Sequence, residues 1–184
     1  MRVIAGTFKG RRLVVPGGLL TRPTADQVRI ALMDILAPRL PDGRVLDLFA
    51  GAGGVGLEAL SRGAAHVTFV ERDGRASAAL EANVTALGVE ASTRRLRLSV
   101  ERALTSLAGQ GERFDTVFLD PPYESDLVTV TLEHLGDGRC LAPGALVVAQ
   151  HFTKRVLPSR VGELKAFRTR RFGETTLTFF RAGG

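Results

Sequence analysis

The sequence predicts an α/β fold around a mostly parallel sheet, and three observations carry that prediction. From Gly43 onward, short apolar runs of strand length alternate with stretches of helical periodicity. A glycine-rich turn directly follows the first run, Gly51-Ala52-Gly53-Gly54-Val55-Gly56. The chain then closes on two strand-like segments flanking Phe172-Gly173-Glu174, which read as a β-hairpin. Repeated β-α-β order places parallel strands side by side with helices on both faces.

The elements follow in order. Arg2–Val15 reads as two short strands around the turn-prone Lys9-Gly10, giving a small hairpin. Thr24 with Gln27 three residues later has the form of a capping box. Behind it Val28, Ala31, Leu32, Ile35 and Leu36 recur at helical spacing until Pro38 and Pro41. Residues 1–41 are therefore expected to form a basic N-terminal appendage, and residues 42–184 the main domain. In that domain the expected strands are 44–49, 66–71, 96–100, 116–119 and 145–151, with the hairpin at 166–171 and 175–180. Helices are expected over 55–62, along the face carrying Ala76, Ala79, Leu80, Asn83, Val84 and Leu87, and over 101–108 and 127–135.

Composition narrows the class. Apolar residues make up 45% and charged residues 24% of 184, ordinary values for a globular chain with a core. No apolar run approaches the ~20 residues of a membrane span, and Met1–Val15 lacks a signal-peptide block. Cys140 is the single cysteine and His66, His134 and His151 are scattered, so neither a disulfide nor a metal site is expected, and the cytoplasm is the default location. The formal charge of +6 is unevenly placed: residues 1–30 carry +5, residues 151–184 carry +6, and the centre carries −5. Basic ends around a mildly acidic centre suit a polyanion such as nucleic acid, although arginine-rich solvated surface would look the same.

The glycine-rich turn satisfies the G-x-G-x-x-G pattern of nucleotide-binding loops, where a backbone free of Cβ atoms can lie against a ligand. Glu71 ends the next strand and is placed to accept both ribose hydroxyls of an adenosine. Both NAD and S-adenosylmethionine present such a ribose. Asp47, four residues before Gly51, favours the second: a carboxylate there suits a cationic methionine amino group and would be unwelcome beside a pyrophosphate. Asp120-Pro121-Pro122-Tyr123, at the end of the fourth strand, points the same way. An exocyclic base amine is a poor nucleophile because its lone pair is delocalised. The Asp120 carboxylate and the Pro121 carbonyl can hold its N–H groups so that the pair localises, Pro122 stiffens the backbone, and Tyr123 offers a stacking face. Read blandly, Asp-Pro-Pro is a rigid turn and Tyr123 a core aromatic.

Together with Arg22-Pro23-Thr24, Asp26, Val28-Arg29, Asp47-Leu48-Phe49-Ala50-Gly51-Ala52-Gly53 and Gly56-Leu57-Glu58-Ala59-Leu60-Ser61-Arg62-Gly63-Ala64, Asp120–Tyr123 resembles the RsmD family of bacterial 16S rRNA guanine-N2 methyltransferases. Arg2–Gly6, Gly10–Leu13 and Gly173-Glu174-Thr175 extend the resemblance nearly end to end. It implies a Rossmann-like, seven-stranded class I methyltransferase sheet and S-adenosyl-L-methionine as donor. The acceptor it implies is a guanine of 16S rRNA, at position 966, within a partly assembled small ribosomal subunit. A monomer is expected. Carried over, Asp47, Gly51, Gly53 and Glu71 contact the cofactor, with Phe49 and Arg72 as their neighbours and Thr24 closing over it; Asp120, Pro121, Pro122 and Tyr123 hold the base. Arg102 and Ala103 fall where the adenine is flanked, but Arg102 departs from the small polar or acidic residue usual there. The Gly53-Gly54-Val55 stretch is richer in glycine than usual, and Gln150-His151 stands where a glutamate is common. Arg11, Arg12, Arg22, Arg168, Arg170 and Arg171 are the candidate RNA-phosphate contacts.

Three other readings compete. One is another amino methyltransferase, acting on DNA adenine or a protein glutamine amide. The second is a non-catalytic RNA-binding assembly factor, which intact Asp47, Glu71 and Asp120 argue against. The third is an NAD-dependent oxidoreductase.

Overall fold

The computed structural model describes residues 1–16, 23–122 and 126–183, with the side chains of residues 23–25 left out. Helix α1 (Pro23–Leu36) precedes the alternating region, which runs β1 (Arg44–Leu48), α2 (Gly54–Ser61), β2 (His66–Val70), α3 (Gly74–Leu87), β3 (Thr93–Leu96), α4 (Val100–Gly109), β4 (Phe114–Leu119), α5 (Leu127–Leu135) and β5 (Leu141–Phe152). A short β6 (Arg160–Val161) and the hairpin β7 (Leu164–Phe172) and β8 (Thr175–Ala182) complete it. The strands form a single sheet in the order β3-β2-β1-β4-β5-β8-β7-β6. The first five are parallel; β8 runs antiparallel to β5, and β7 and β6 continue antiparallel. This is the Rossmann-like sheet that the resemblance implies, with an eighth member where seven were expected, because two residues of β6 pair along the edge of β7.

Strand periodicity divides the core into two layers. Val45, Phe118, Leu177 and Phe179 pack with Leu32 of α1, Leu57 of α2 and Leu80 of α3. Leu46, Leu48, Val117, Leu119 and Phe180 face Leu104 and Leu107 of α4 and Leu132 of α5. Asp47 shares the parity of Val45 and so points toward α2. That helix lies very close to the sheet: a Cβ on Gly56 would stand 2.3 Å from a Phe69 ring carbon, which requires glycine there.

Two elements differ from expectation. β3 spans Thr93–Leu96 rather than 96–100, and Ser99 instead caps α4 by accepting the Arg102 amide. The N-terminal strands are reduced to an isolated antiparallel bridge between Arg2 and Arg12. Val3 and Arg11 still pair through backbone, and part of the segment's remaining polar backbone goes to distant side chains. The buried Glu58 carboxylate accepts the Ile4 and Ala5 amides at 2.7 and 3.0 Å, and Ser61 accepts from Phe8 at 2.9 Å. Asn83 accepts from the Val14 amide and donates to the Val14 and Ala52 carbonyls, tying this segment to the glycine-rich turn. Val3 and Leu13 are buried in the same layer as α1 and α2.

Candidate active site

Strand order reverses between β1 and β4, and a crevice forms at such a switch point beyond the carboxyl ends of the strands. Here it is a cavity of about 1070 Å³. Its walls include Phe49 after β1, Glu71 and Arg72 after β2, and Asp120, Pro121 and Pro122 after β4. Gln150 and Phe152 of β5, Val28 of α1, Val130 and Thr131 of α5, and Phe172–Thr175 at the hairpin turn close the other side.

The turn after β1 is shaped by backbone conformation. Phe49 and Gly51 have φ of 62° and 56°, and a Cβ on Gly51 would meet nothing within 4 Å, so the backbone there borders open space. A left-handed phenylalanine is costly, on the order of 1–3 kcal/mol, and such residues persist where the surroundings over-determine them. Glu71 holds the turn: its carboxylate accepts the Gly51 amide at 2.8 Å and the Asp73 amide at 2.7 Å. Gly53 caps α2 in the left-handed region without lining the cavity.

Asp47 lies beneath this turn, 1% exposed, accepting the Gly56 amide at 2.9 Å. Burial pushes its carboxyl up to about 7; the Gly56 bond pulls the other way, and the charges of Asp120 and Glu71 push it further up. Asp120 sits at the cavity wall, yet packed closely enough that burial pushes it up to about 7 as well, with the Gln150 carboxamide donating to it and opposing the rise. Two of the carboxyls at one end of one cavity are thus held near neutrality, an arrangement typical of functional sites.

The structure brings Phe49, Glu71, Arg72, Asp120, Pro121 and Pro122 into one cavity and leaves Asp47, Gly51 and Gly53 off its lining. Arg102 and Ala103 are not part of its lining: Arg102 is exposed, Ala103 is fully buried on the inner face of α4, and Ser99, Val100 and Glu101 line the wall instead. The cause is the early end of β3, which starts α4 sooner and turns its first residues inward. Tyr123, Arg22 and the Thr24 side chain lie outside the described residues. Gln150 is a functional candidate that sequence reasoning left without a role; its register opposite Leu177 on β8 could not be seen before the hairpin's pairing was known. Arg11 and Arg12 are exposed, with Arg11 donating to the Ala86 carbonyl at 2.7 Å. Arg168, Arg170 and Arg171 are exposed along β7. Among the described residues no group of three His, Cys, Asp or Glu side chains is placed to hold a metal, and no helix is long and apolar enough to cross a membrane.

The profile of the family described as Conserved hypothetical protein 95 matches residues 1–181. Ribosomal RNA small subunit methyltransferase D of Escherichia coli K12 is 38% identical over 159 residues, 86% of this chain and 78% of the relative. The chain belongs to the RsmD family. Among solved structures, a hypothetical protein of Thermus thermophilus superposes with a TM-score of 0.84 at 36% identity, covering 97% of this chain and 98% of that one. The T. thermophilus 16S rRNA N2 G1207 methyltransferase RsmC, in complex with AdoMet and guanosine, shares the fold with a TM-score of 0.71 at 23% identity, over 91% of this chain and 45% of that one. RsmD membership makes this chain a methyltransferase and gives the two carboxyls at its switch point a chemical setting.

Proposed function

We propose that the protein transfers a methyl group from S-adenosyl-L-methionine to the N2 amine of a guanine in 16S rRNA, guanine 966, within a partly assembled small subunit in the cytoplasm. The observation that carries this reading is Asp120, tuned to about 7 and bonded to Gln150 at the wall of the cavity that also holds Glu71. The rRNA substrate rests on the name of the E. coli relative.

The residues present fit a cationic donor. Asp47, Glu71 and Asp120 give this end of the cavity carboxyl groups that a cationic ligand can draw into the ionised form, which suits sulfonium and ammonium groups and disfavours a pyrophosphate. The open border at Gly51 leaves room for a ligand against the backbone. When bound, the donor supplies an electrophilic methyl group. Glu71 would hold the ribose hydroxyls and Asp47 would set the charge beneath the methionine end; Ser99, Val100 and Glu101, which line the same cavity, would flank the adenine with Phe49 and Arg72. Thr24 is assigned to closing over the cofactor.

On the acceptor side, Asp120 accepts one N2–H and the Pro121 carbonyl the other, localising the amine's lone pair, while Tyr123 supplies the stacking face and Pro122 the stiff backbone. Gln150 favours the ionised form of Asp120 and keeps it oriented. Positioning supplies most of the rate, and the proton leaves late to Asp120 or water. Arg11, Arg12, Arg22, Arg168 and Arg170 are assigned to RNA phosphates, and the protein is taken to act as a monomer.

The test incubates the protein and labelled donor with small subunits lacking base methylation, followed by nucleoside mass spectrometry. N2-methylguanosine from wild type, absent with Asp120→Ala, is the expected result. Donor binding with no methylation of subunits or their free RNA would sink the rRNA assignment and bring DNA adenine and protein amides forward.

A further inference from the structure

A second cavity, about 580 Å³, lies between α1 and β7 and is lined by Gln27, Ile30, Ala31, Asp34, Ile35, Arg168 and Arg170. Strand register explains which arginines face it. Arg168 pairs with Phe179 and Arg170 with Leu177, both buried in the layer beneath α1, so these two guanidinium groups project on the α1 side. Arg171 pairs with Thr176 and belongs to the opposite face, where its Nε donates to the Gly173 carbonyl at 3.3 Å. The Arg168 and Arg170 side chains have no hydrogen bond or ion pair among the described residues. Asp34, the acid in this wall, is 3.7 Å from Arg62.

This groove shares both of its walls with the cavity that holds Asp120. α1 gives Val28 to that cavity and Gln27, Ile30 and Ala31 to the groove; β7 gives Phe172 to the first and Arg170, two residues earlier, to the second. A chain leaving the first cavity between α1 and β7 therefore passes into the second.

We propose that the α1–β7 groove is a subsite for the nucleotides flanking the methylated base. The phosphodiester backbone runs along Arg168 and Arg170, which stand about 7 Å apart as alternate residues of one strand. A ribose or base lies against the apolar side of α1, where Ile30 is 40% exposed. Arg171, though adjacent in sequence, takes no part. The subsite divides the arginine cluster of β7 into two that read RNA and one that does not, and it rests on the reading that RNA is the substrate.

The experiment compares Arg168→Gln/Arg170→Gln with Arg171→Gln in the full chain. Binding of a short single-stranded RNA of mixed sequence is followed by fluorescence anisotropy over a series of salt concentrations, with S-adenosylhomocysteine affinity and thermal unfolding as controls. The double variant should bind RNA at least several-fold more weakly at low salt. Its log–log salt slope should be less steep by about 1.4, the loss of two phosphate contacts at about 0.7 each. Arg171→Gln should stay within about two-fold of wild type, and Arg168→Lys/Arg170→Lys should keep the wild-type slope, since charge alone sets it. An equal loss with Arg171→Gln, an unchanged slope in the double variant, or a lost slope in the lysine pair each overturns the subsite. So does stronger competition by polyglutamate than by RNA, which would assign the groove to an acidic protein. Because binding is read without turnover, a wild type that binds RNA through this groove yet methylates no guanine would refute the proposed reaction and leave the subsite standing.

Discussion

The carboxyl ends of the central strands and the outer face of β7 handle charge in opposite ways. At the strand ends, Asp47 and Asp120 are enclosed, and burial pushes both carboxyls up to about 7. On β7, Arg168 and Arg170 stand in the open without a carboxylate partner among the described residues. A buried charge takes its properties from a few specific neighbours: the Gly56 amide for one acid, the Gln150 carboxamide for the other. An exposed charge acts through number and spacing, and salt screens it. The acidic centre thus suits one cationic small molecule held in one pose, and the basic rim suits a polyanion held loosely. Single changes at the centre should have large, individual effects, and changes at the rim small, additive ones.

The sharpest break is at Asp120. Asp120→Ala should lower the rate of methyl transfer by about 10²-fold or more, the scale of a misplaced reacting group. S-adenosylhomocysteine affinity, read by titration calorimetry, should move by less than about three-fold, because Asp120 acts on the acceptor; an equal loss of both would place it in the cofactor site instead. Glu71→Ala should do the reverse. It would remove the two charged hydrogen bonds proposed to the ribose, worth about 1.5–3 kcal/mol each, and it frees the Gly51 amide, so cofactor affinity should fall by about 10²-fold or more. RNA affinity measured by anisotropy should be unchanged, and a parallel drop in RNA binding would show that Glu71 supports the whole strand end rather than one ligand.

This contrast was partly legible in the sequence, and the reasons are physical. Each parallel strand buried on both faces reads as a short apolar run, so 44–48, 66–70 and 114–119 could be found from composition alone. β3 is an edge strand of sequence Thr-Arg-Arg-Leu with little buried surface, and the apolar Leu98 and Val100 beyond it drew the expected strand too far along. The N-terminal hairpin was overestimated because part of its backbone is taken up by Glu58, Ser61 and Asn83, which lie 53 to 69 residues away and carry no local signal. Asp47 and Asp120 were visible as carboxylates at strand ends. Their shared elevation was not, since it depends on how tightly α2 and β5 close over them.

Smaller, and specific to the buried pair, is a pH effect on cofactor binding. A cationic ligand favours the ionised form of a neighbouring carboxyl, so binding should drive protons off Asp47 and Asp120, whose values of about 7 leave them partly protonated at neutral pH. Affinity for S-adenosyl-L-methionine should therefore rise between about pH 6 and pH 8, by up to about ten-fold per coupled group. Calorimetry in two buffers of different ionisation enthalpy would read the released protons directly. Equal heats in both buffers would mean that the acids stay as they are, and the centre would then resemble the rim.

The smallest effect is on stability. The Asp47 carboxyl rises from 3.8 in the unfolded chain to about 7 in the folded one, so the folded state holds its proton more tightly. Below the unfolded value both states are protonated and the group costs nothing. As pH climbs toward about 7 the unfolded chain releases its proton first, unfolding gains, and the stability contributed at low pH is lost; above about 7 the loss is complete. Asn at this position can still accept the Gly56 amide through its carbonyl oxygen but has no proton to lose. Asp47→Asn should therefore match wild type near about pH 4 and melt at a higher temperature at about pH 8. Calorimetric melting across that range would show a gap that opens and then stays level. A gap constant at all pH values would trace the change to packing alone, and removal of an exposed rim charge such as Arg171 should produce no gap of this kind, because water already solvates it in both states.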